Sequence, residues 1–362
     1  MRRMLFVFAM LFTLVAPLSA QEIYPDDLTA LLEDYVFDDE PSVVLYVDTG
    51  DEAWIGVAGL ADLDNETPAD TDDLYRIGSI TKPMTATIIL QLVDEGVIEL
   101  DAPMSDYLPD SLDVDRVENA DIATVRQMLQ MTSGIFSYTD SDAFDDAVFD
   151  NPSTMWTALD TIEFIYDEPA DFEPGEDYVY SNSNYNLAEL MVEAQTGDSL
   201  AVAFEDRIFE PLGMDSCYME TPDVFAENIV RGYADYGDGF EDVTDINDGV
   251  GMGDGGVICT AEDLAKFPRA LWNGELLSDD TLDEMLDTVA DDGDGEYGLG
   301  IAYEENELGY MQLGHDGSTS GFQSNMAYLP EEDVVVVVLT NNFDSEIVFD
   351  LTLDAQAIVL DY

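Results

Sequence analysis

The sequence predicts an α/β protein of the α+β type, with an antiparallel sheet flanked by helices and built from both ends of the chain. Three observations carry this prediction: strand-like runs near the amino terminus, a wholly aliphatic run at 334–339, and helical periodicity between them. Strands from distant parts of one chain that share a core leave the intervening residues as an inserted lobe. We therefore expect a sheet lobe at 21–110 and 250–362 and a mainly helical lobe at 111–249.

The predicted strands share runs of apolar residues between turn residues. They are 42–48, 53–61, 311–313, 323–329 and 334–339. Thr49-Gly50-Asp51, between the first two, is typical of a hairpin turn, and the aliphatic last run is typical of a strand buried on both faces. The predicted helices share apolar residues at helical spacing. They run from near Ser79 to a stop at Gly96, over 125–131, over 183–195, and over 347–360 as a closing helix.

Residues 1–20 have the pattern of a secretory signal peptide. Arg2 and Arg3 precede an apolar run from Met4 to Val15, and Leu18-Ser19-Ala20 forms a cleavage site before Gln21. An uncleaved anchor is the alternative, but the run is shorter than the roughly 20 residues of a spanning helix. We expect a single mature domain at 21–362 that is secreted or periplasmic, with no stable membrane insertion after signal cleavage.

The charge balance is strongly acidic, with 10 basic and 81 acidic residues and a formal net charge of −71. Such a surface repels nucleic acid and anionic lipid, so we predict no nucleic-acid partner. Aromatic and apolar residues are spread throughout the chain, unlike in a disordered acidic tail. Molar salt shortens the Debye length to about 3 Å, which relieves repulsion between dense carboxylates. The composition therefore predicts a halophilic protein.

Cysteine and histidine are both scarce. Cys217 and Cys259 are the only cysteines, and the sequence leaves a disulfide and two buried thiols equally open. The chain has one histidine, His315, which excludes zinc sites with several histidines. We predict no cofactor and no metal site.

Lysine scarcity points to the strongest candidate for chemistry. Lys82 and Lys266 are the only lysines, and Lys82 completes the motif Ser79-Ile80-Thr81-Lys82 at a predicted helix start. A lysine at i+3 places its amine over the serine hydroxyl on one face of the helix. Protonated serine is a weak nucleophile, and a buried lysine with a lowered pKa can accept its proton.

Two further motifs carry polar groups suited to catalysis. Tyr180-Ser181-Asn182 offers a general base, if neighbouring cations lower the pKa of Tyr180, and an amide side chain that can hold both a substrate and Lys82. In His315-Asp316-Gly317-Ser318, placed just before a predicted strand, Gly317 allows an edge strand to approach a substrate closely. The backbone N–H of Ser318 can face an oxyanion.

Ser-x-x-Lys, Tyr-x-Asn and His-x-Gly, in this order and at these separations, resemble the class C β-lactamase and D-alanyl-D-alanine carboxypeptidase branch of the serine penicillin-recognising superfamily. The resemblance covers almost all of the mature chain and implies the β-lactamase/transpeptidase fold. Flanking segments that also look like the family are Tyr75–Gly78, Gln91–Gly96, Met131–Gly134, Gly255–Val257 and Thr260–Leu264.

The resemblance implies a serine hydrolase that works through an acyl-enzyme on Ser79. Lys82 and Tyr180 would handle protons, and Asn182 would orient the substrate and Lys82. The backbone N–H groups of Ser79 and Ser318 would form the oxyanion hole.

His315 would stand where many relatives carry lysine, which weakens the case for a dedicated β-lactamase. Asp316 would repel a substrate carboxylate if it faced inward, and the sequence leaves its orientation open. The substrate is therefore open among a D-Ala-terminated peptide, a β-lactam and an ester, with carboxypeptidase or β-lactamase-like amide hydrolysis preferred. The alternatives are an esterase of the same fold and a non-catalytic peptidoglycan- or peptide-binding protein. An α/β-hydrolase is excluded because the sequence lacks a Gly-x-Ser-x-Gly elbow.

Overall fold

A computed structural model describes residues 23–37, 39–221, 229–237, 239–247, 251–291, 293, 295–343 and 347–360. The predicted signal peptide lies outside the described residues. Within these ranges, no helix is long and apolar enough to cross a membrane.

The strands come from both ends of the chain, as the sequence predicts. They are β1 Val43–Asp48, β2 Ala53–Ala58, β3 Leu60–Asp62, β4 Thr67–Pro68, β5 Tyr75–Arg76, β6 Tyr218–Met219, β7 Tyr233–Asp235, β8 Phe240–Asp242, β9 Val257–Cys259, β10 Val289–Ala290, β11 Glu296–Tyr297, β12 Ala302–Glu305, β13 Met311–Thr319, β14 Phe322–Leu329 and β15 Val334–Thr340. The largest sheet of the described residues is antiparallel, in the order β10-β11-β12-β13-β14-β15-β1-β2.

The helices lie on both faces of this sheet and fill the middle of the chain. They are α1 Pro25–Tyr35, α2 Thr81–Asp94, α3 Val125–Leu129, α4 Asp142–Asp150, α5 Ala158–Glu163, α6 Asn182–Thr196, α7 Leu200–Phe204, α8 Glu210–Leu212, α9 Ala261–Leu264, α10 Lys266–Trp272, α11 Asp279–Met285 and α12 Ile347–Val359. Helices α3 to α8 fall within the stretch predicted as a helical lobe, although the exact lobe boundaries remain a prediction.

Strand β15 divides the core into two layers. Alternate side chains of a strand point to opposite faces of the sheet. Val336 packs with α1 and α12 on one face, whereas Val337 packs with the main core on the other. Both side chains are fully buried, and each such burial contributes about 1.5–3 kcal/mol. The prediction of a central, fully buried strand is confirmed.

Strand β13 differs from the prediction. It extends from Met311 to Thr319 instead of ending at residue 313, so His315 and Gly317 lie within a strand rather than before one. Its pairing with β12 covers only Met311–Gly314, whereas its pairing with β14 continues to Thr319. Among the described strands, the part that carries Gly317 therefore has an open edge, as expected. The sequence signal is weak because His, Asp and Gly interrupt the apolar pattern. Pairing with β14 keeps this part of the chain extended.

The two cysteines form a disulfide. Cys217 is bonded to Cys259, which ends β9, across a sequence separation of 42. Of the two alternatives that the sequence left open, the structure therefore contains the disulfide and not the two thiols.

Candidate active site

Ser79 lies in a single 3₁₀ turn, Gly78–Ile80, that leads directly into α2. Gly78 has a φ of +49°, a left-handed conformation that glycine adopts without steric cost. The turn places Lys82 one helical turn beyond the serine. Lys82 Nζ is 2.8 Å from Ser79 Oγ, so the pair predicted from spacing is in hydrogen-bond contact.

The Lys82 amine is completely buried. It donates to the backbone oxygen of Asp254 at 2.8 Å and lies 4.8 Å from the centre of the Tyr180 ring. Burial lowers the pKa of Lys82 from 10.5 to about 8, although the negative charges of Asp254 and Asp316 act in the opposite direction. An amine with this pKa is partly unprotonated near neutral pH and can accept a proton.

Tyr180 hydrogen bonds with Ser79, and burial raises the pKa of its hydroxyl well above 10. The condition for a Tyr180 general base, a pKa lowered by neighbouring cations, is therefore not met, because loss of solvent dominates and the charge of Asp316 also raises this pKa. A neutral Tyr180 can relay a proton but cannot act as a phenolate base.

Asn182 begins α6 and faces the same cavity as Ser79. Its Nδ2 donates to Thr139 Oγ1 at 3.1 Å. Its Oδ1 is buried and accepts no hydrogen bond from the described residues. The amine of Lys82 bonds to Ser79 and Asp254 instead of Asn182. The expected role of Asn182 in orienting Lys82 is thus taken by a backbone carbonyl. The expected contact of Asn182 with a substrate stays a prediction.

His315 is 7% exposed and closes one side of the site. Its Nε2 lies 2.9 Å from the hydroxyl of Tyr297, and its Nδ1 lies 2.5 Å from the backbone oxygen of Asp316. Since a carbonyl only accepts, Nδ1 carries the proton and Nε2 accepts from Tyr297. Burial lowers the pKa of His315, with Lys82 adding to the effect, so the ring is neutral at physiological pH.

The turn that carries Ser79 packs tightly against β13. A Cβ on Gly78 would lie 2.7 Å from the backbone nitrogen of Ser318, and a Cβ on Gly317 would collide with the backbone oxygen of Ile77. Ser79 and Ser318 line one cavity. Glycine is needed at both contacts because any side chain would collide with the facing backbone. The oxyanion hole expected from the backbone N–H groups of Ser79 and Ser318 stays a prediction.

The cavity around Ser79 has a volume of about 530 Å³ and is rich in carboxylates. Asp291, Glu304 and Asp316 line it, and no lysine or arginine does so in the described part of the chain. Asp316 is exposed on the cavity side, which answers the question of its orientation. The described lining of this cavity therefore carries negative charge.

Several residues of this site were missed by sequence reasoning. Asp254 is 5% exposed, holds Lys82 through its backbone, and accepts a hydrogen bond from Tyr138 through Oδ2 at 2.8 Å. Tyr297 fixes His315. The run Gly253-Asp254-Gly255-Gly256 was the available signal, since closely spaced glycines indicate close approach of the backbone. Tyr297 gave no signal in the sequence.

Comparison with known proteins identifies the family. The family model described as Beta-lactamase matches residues 29–359. The chain belongs to the beta-lactamase family. This confirms the resemblance read from the three motifs, and the antiparallel sheet with flanking helices is the fold of the family.

Known relatives and solved structures agree with this assignment. Penicillin-binding protein 4* of Bacillus subtilis is 24% identical over 82% of this chain and 67% of its own length. A D-stereospecific amidohydrolase from Streptomyces sp. superposes with a TM-score of 0.81 at 30% identity, covering 92% of this chain and 98% of its own. D-amino acid amidase from Ochrobactrum anthropi, complexed with L-phenylalanine amide, gives 0.78 at 27% identity over 92% and 98%. The chain spans only about half the length of its first curated relatives, 43% and 58%.

Proposed function

We propose that the protein is a serine hydrolase that cleaves the amide bond of small aminoacyl amides or peptides bearing a free amino group, through an acyl-enzyme on Ser79. The observation that carries the proposal is the 2.8 Å contact between a buried Lys82 amine and Ser79 Oγ, together with the carboxylates that line the cavity at Ser79. A hydroxyl beside an amine of lowered pKa is an activated nucleophile.

The reaction follows from this geometry. Unprotonated Lys82 takes the proton of Ser79 as its oxygen bonds to the amide carbon, and the backbone N–H groups of Ser79 and Ser318 stabilise the resulting oxyanion. The C–N bond then breaks, and Lys82 returns the proton to the leaving amine through the neutral hydroxyl of Tyr180. Water hydrolyses the acyl ester and restores Ser79.

The substrate class is inferred from the cavity's charge. Asp291, Glu304 and Asp316 attract an ammonium group and repel a carboxylate. We therefore place amine-bearing amides ahead of the D-Ala-terminated peptides and β-lactams expected from the sequence, because both of those carry a carboxylate. Two structural neighbours, a D-stereospecific amidohydrolase and a D-amino acid amidase, support this choice. Esters remain alternative substrates.

A matched pair of substrates tests the charge argument. We expect faster hydrolysis of D-phenylalanine amide than of its N-acetyl derivative, which lacks the ammonium, and slow turnover of a D-Ala-D-Ala peptide. Asp316→Asn should raise KM about two- to fivefold for the free amine and leave the N-acetyl substrate unchanged. Equal KM changes for both substrates would refute a role of the carboxylates in selection.

Intact-mass analysis tests the acyl-enzyme. Brief exposure to a p-nitrophenyl ester or to a penicillin should add an acyl group to the wild type and none to Ser79→Ala. Lys82→Ala should acylate about 10²–10⁴-fold more slowly. A wild type that binds these compounds and never forms an adduct would support the non-catalytic binding alternative instead.

We also propose that the protein is exported and adapted to high salt. The Cys217–Cys259 disulfide supports export, because such bonds persist in oxidising compartments. The net charge of −71 supports salt adaptation. Finding a mature amino terminus at Gln21 in protein recovered outside the cytoplasm would test the first proposal.

A further inference from the structure

We propose that Glu189, which lies outside the catalytic cavity, is a positioning residue that sets the location of the Lys82 amine through the backbone of Gly253 and Asp254. The inference rests on the proposed role of Lys82 as the proton acceptor for Ser79. Its basis is a chain of short hydrogen bonds that leads from the middle of α6 to the amine.

In the loop before β9, both backbone polar groups of Gly253 form hydrogen bonds with side chains. The backbone N–H of Gly253 donates to Glu189 Oε2 at 2.7 Å, and its backbone oxygen accepts from Thr85 Oγ1 at 2.7 Å. The next backbone oxygen, that of Asp254, accepts from Lys82 Nζ at 2.8 Å. The hydrogen bonds of Gly253 therefore fix the position of the Asp254 oxygen that accepts from Lys82.

Packing around Gly253 leaves little room for adjustment. A Cβ at this position would lie 2.8 Å from the backbone oxygen of Tyr185 and 3.1 Å from Glu189 Cβ and Leu200 Cδ2. Tyr185 itself lies beneath the amine, with its ring centre 5.7 Å from Lys82 Nζ. A shift of Gly253 is therefore passed on to Lys82 and not absorbed locally.

Glu189 is an unusual residue for its place. It is 8% exposed and borders a cavity of about 500 Å³ in the helical segment, and it is not among the residues that line the Ser79 cavity. Burial, together with the charges of Glu193 and Asp254, raises the pKa of its carboxyl. Burial of a carboxyl is costly unless it makes specific hydrogen bonds, and the Gly253 N–H is the one that connects it to the site.

The same helix provides a matched control. Glu193 lies one turn after Glu189, borders the same cavity, and also has a raised pKa because of burial. Its backbone partner is Leu200 and not Gly253. Loss of Glu193 changes the charge of the cavity without touching the loop that holds Lys82.

Four variants test the proposal by acylation kinetics. Glu189→Ala should acylate about ten- to a hundredfold more slowly with KM within about twofold, because small misplacement of a catalytic group is costly. Glu189→Gln keeps an oxygen for the Gly253 N–H and should recover to within about threefold of wild type. Thr85→Val, which removes the second hold on Gly253, should also lower kcat and spare KM. Glu193→Ala should match the wild type.

Lysine scarcity provides a second readout that needs no activity. In protein labelled at lysine Cε, NMR should give only the signals of Lys82 and Lys266, and Lys266→Arg assigns them. Glu189→Ala should move the Lys82 signal and lower its titration midpoint by about half a pH unit or more, because the ammonium loses an acceptor. The Lys266 signal should not move. The NMR measurement tests the positioning role independently of activity. Absence of an adduct on Ser79 in the wild type would refute the proposed function and would leave this test unaffected.

Two results would overturn the inference. One is a folded Glu189→Ala variant whose Lys82 signal and acylation rate equal those of the wild type. The other is a loss in Glu189→Gln, or in Glu193→Ala, as large as the loss in Glu189→Ala, which would mean that cavity charge matters and the Gly253 hydrogen bond does not. If Glu189→Ala fails to fold, the other two variants provide the test. The inference then requires Glu189→Gln to stay within about threefold of wild type and Thr85→Val to lower kcat, and it is overturned if either result fails.

Discussion

Raising the pH from 7 to 9 is expected to speed acylation of Ser79 about tenfold. The reason is the buried amine of Lys82, whose pKa is lowered from 10.5 to about 8 by burial. The unprotonated amine accepts the serine proton, so the rate follows the fraction of free base. Because the pKa of this base is lowered, the reactive form is gained as pH rises through 8 and not through 10.5.

The magnitude follows from the titration. With a pKa of about 8, about one amine in eleven is unprotonated at pH 7 and about nine in ten at pH 9. The displacement from 10.5 corresponds to about 3 kcal/mol against the protonated form. Neither neighbouring group titrates between pH 7 and 9, since burial raises the pKa of Tyr180 well above 10 and lowers that of His315 below 6.5.

Stopped-flow measurement of the p-nitrophenolate burst from p-nitrophenyl acetate is a suitable assay, because this ester has no ionisable group. The salt concentration must be constant, and Ser79→Ala corrects for spontaneous hydrolysis. Lys82→Arg should lose the pH-dependent rise, since guanidinium stays protonated. A flat profile between pH 6.5 and 9.5, or a midpoint near that of an exposed lysine, would refute the assignment of Lys82 as the base.

Three further predictions concern stability. Arg76→Met should lower the free energy of unfolding by about 3–5 kcal/mol in urea titrations, since it leaves the buried Glu220 carboxylate without its 2.9 Å partner, and adding Glu220→Leu should recover most of the loss. Reducing the Cys217–Cys259 bond, which spans 42 residues, should cost about 4 kcal/mol by the same measurement; an unchanged midpoint would contradict this. Transfer from molar salt to dilute buffer should lower the Tm in calorimetry, and equal melting in both would argue against salt adaptation.

Much of the fold could be predicted because its signals are local. The aliphatic run at 334–339 is short and rich in β-branched valine, which favours a buried strand, and strand β15 is indeed fully buried. Helix α2 follows from apolar spacing that ends before Gly96. The contact between Ser79 and Lys82 could also be foreseen, because the helical repeat places residues three apart on one face.

Other features depended on the tertiary structure. The hold of Asp254 on Lys82 joins residues 172 positions apart, and no local pattern encodes such a contact. The pKa of Tyr180 rises and does not fall, because the extent of its burial is set by packing that the sequence does not display. The sequence by itself predicted the groups proposed to carry the chemistry, through composition and short-range spacing. Only the tertiary structure decided their protonation, their backbone supports and the sign of charge around them, because burial and long-range contact depend on how the whole chain packs.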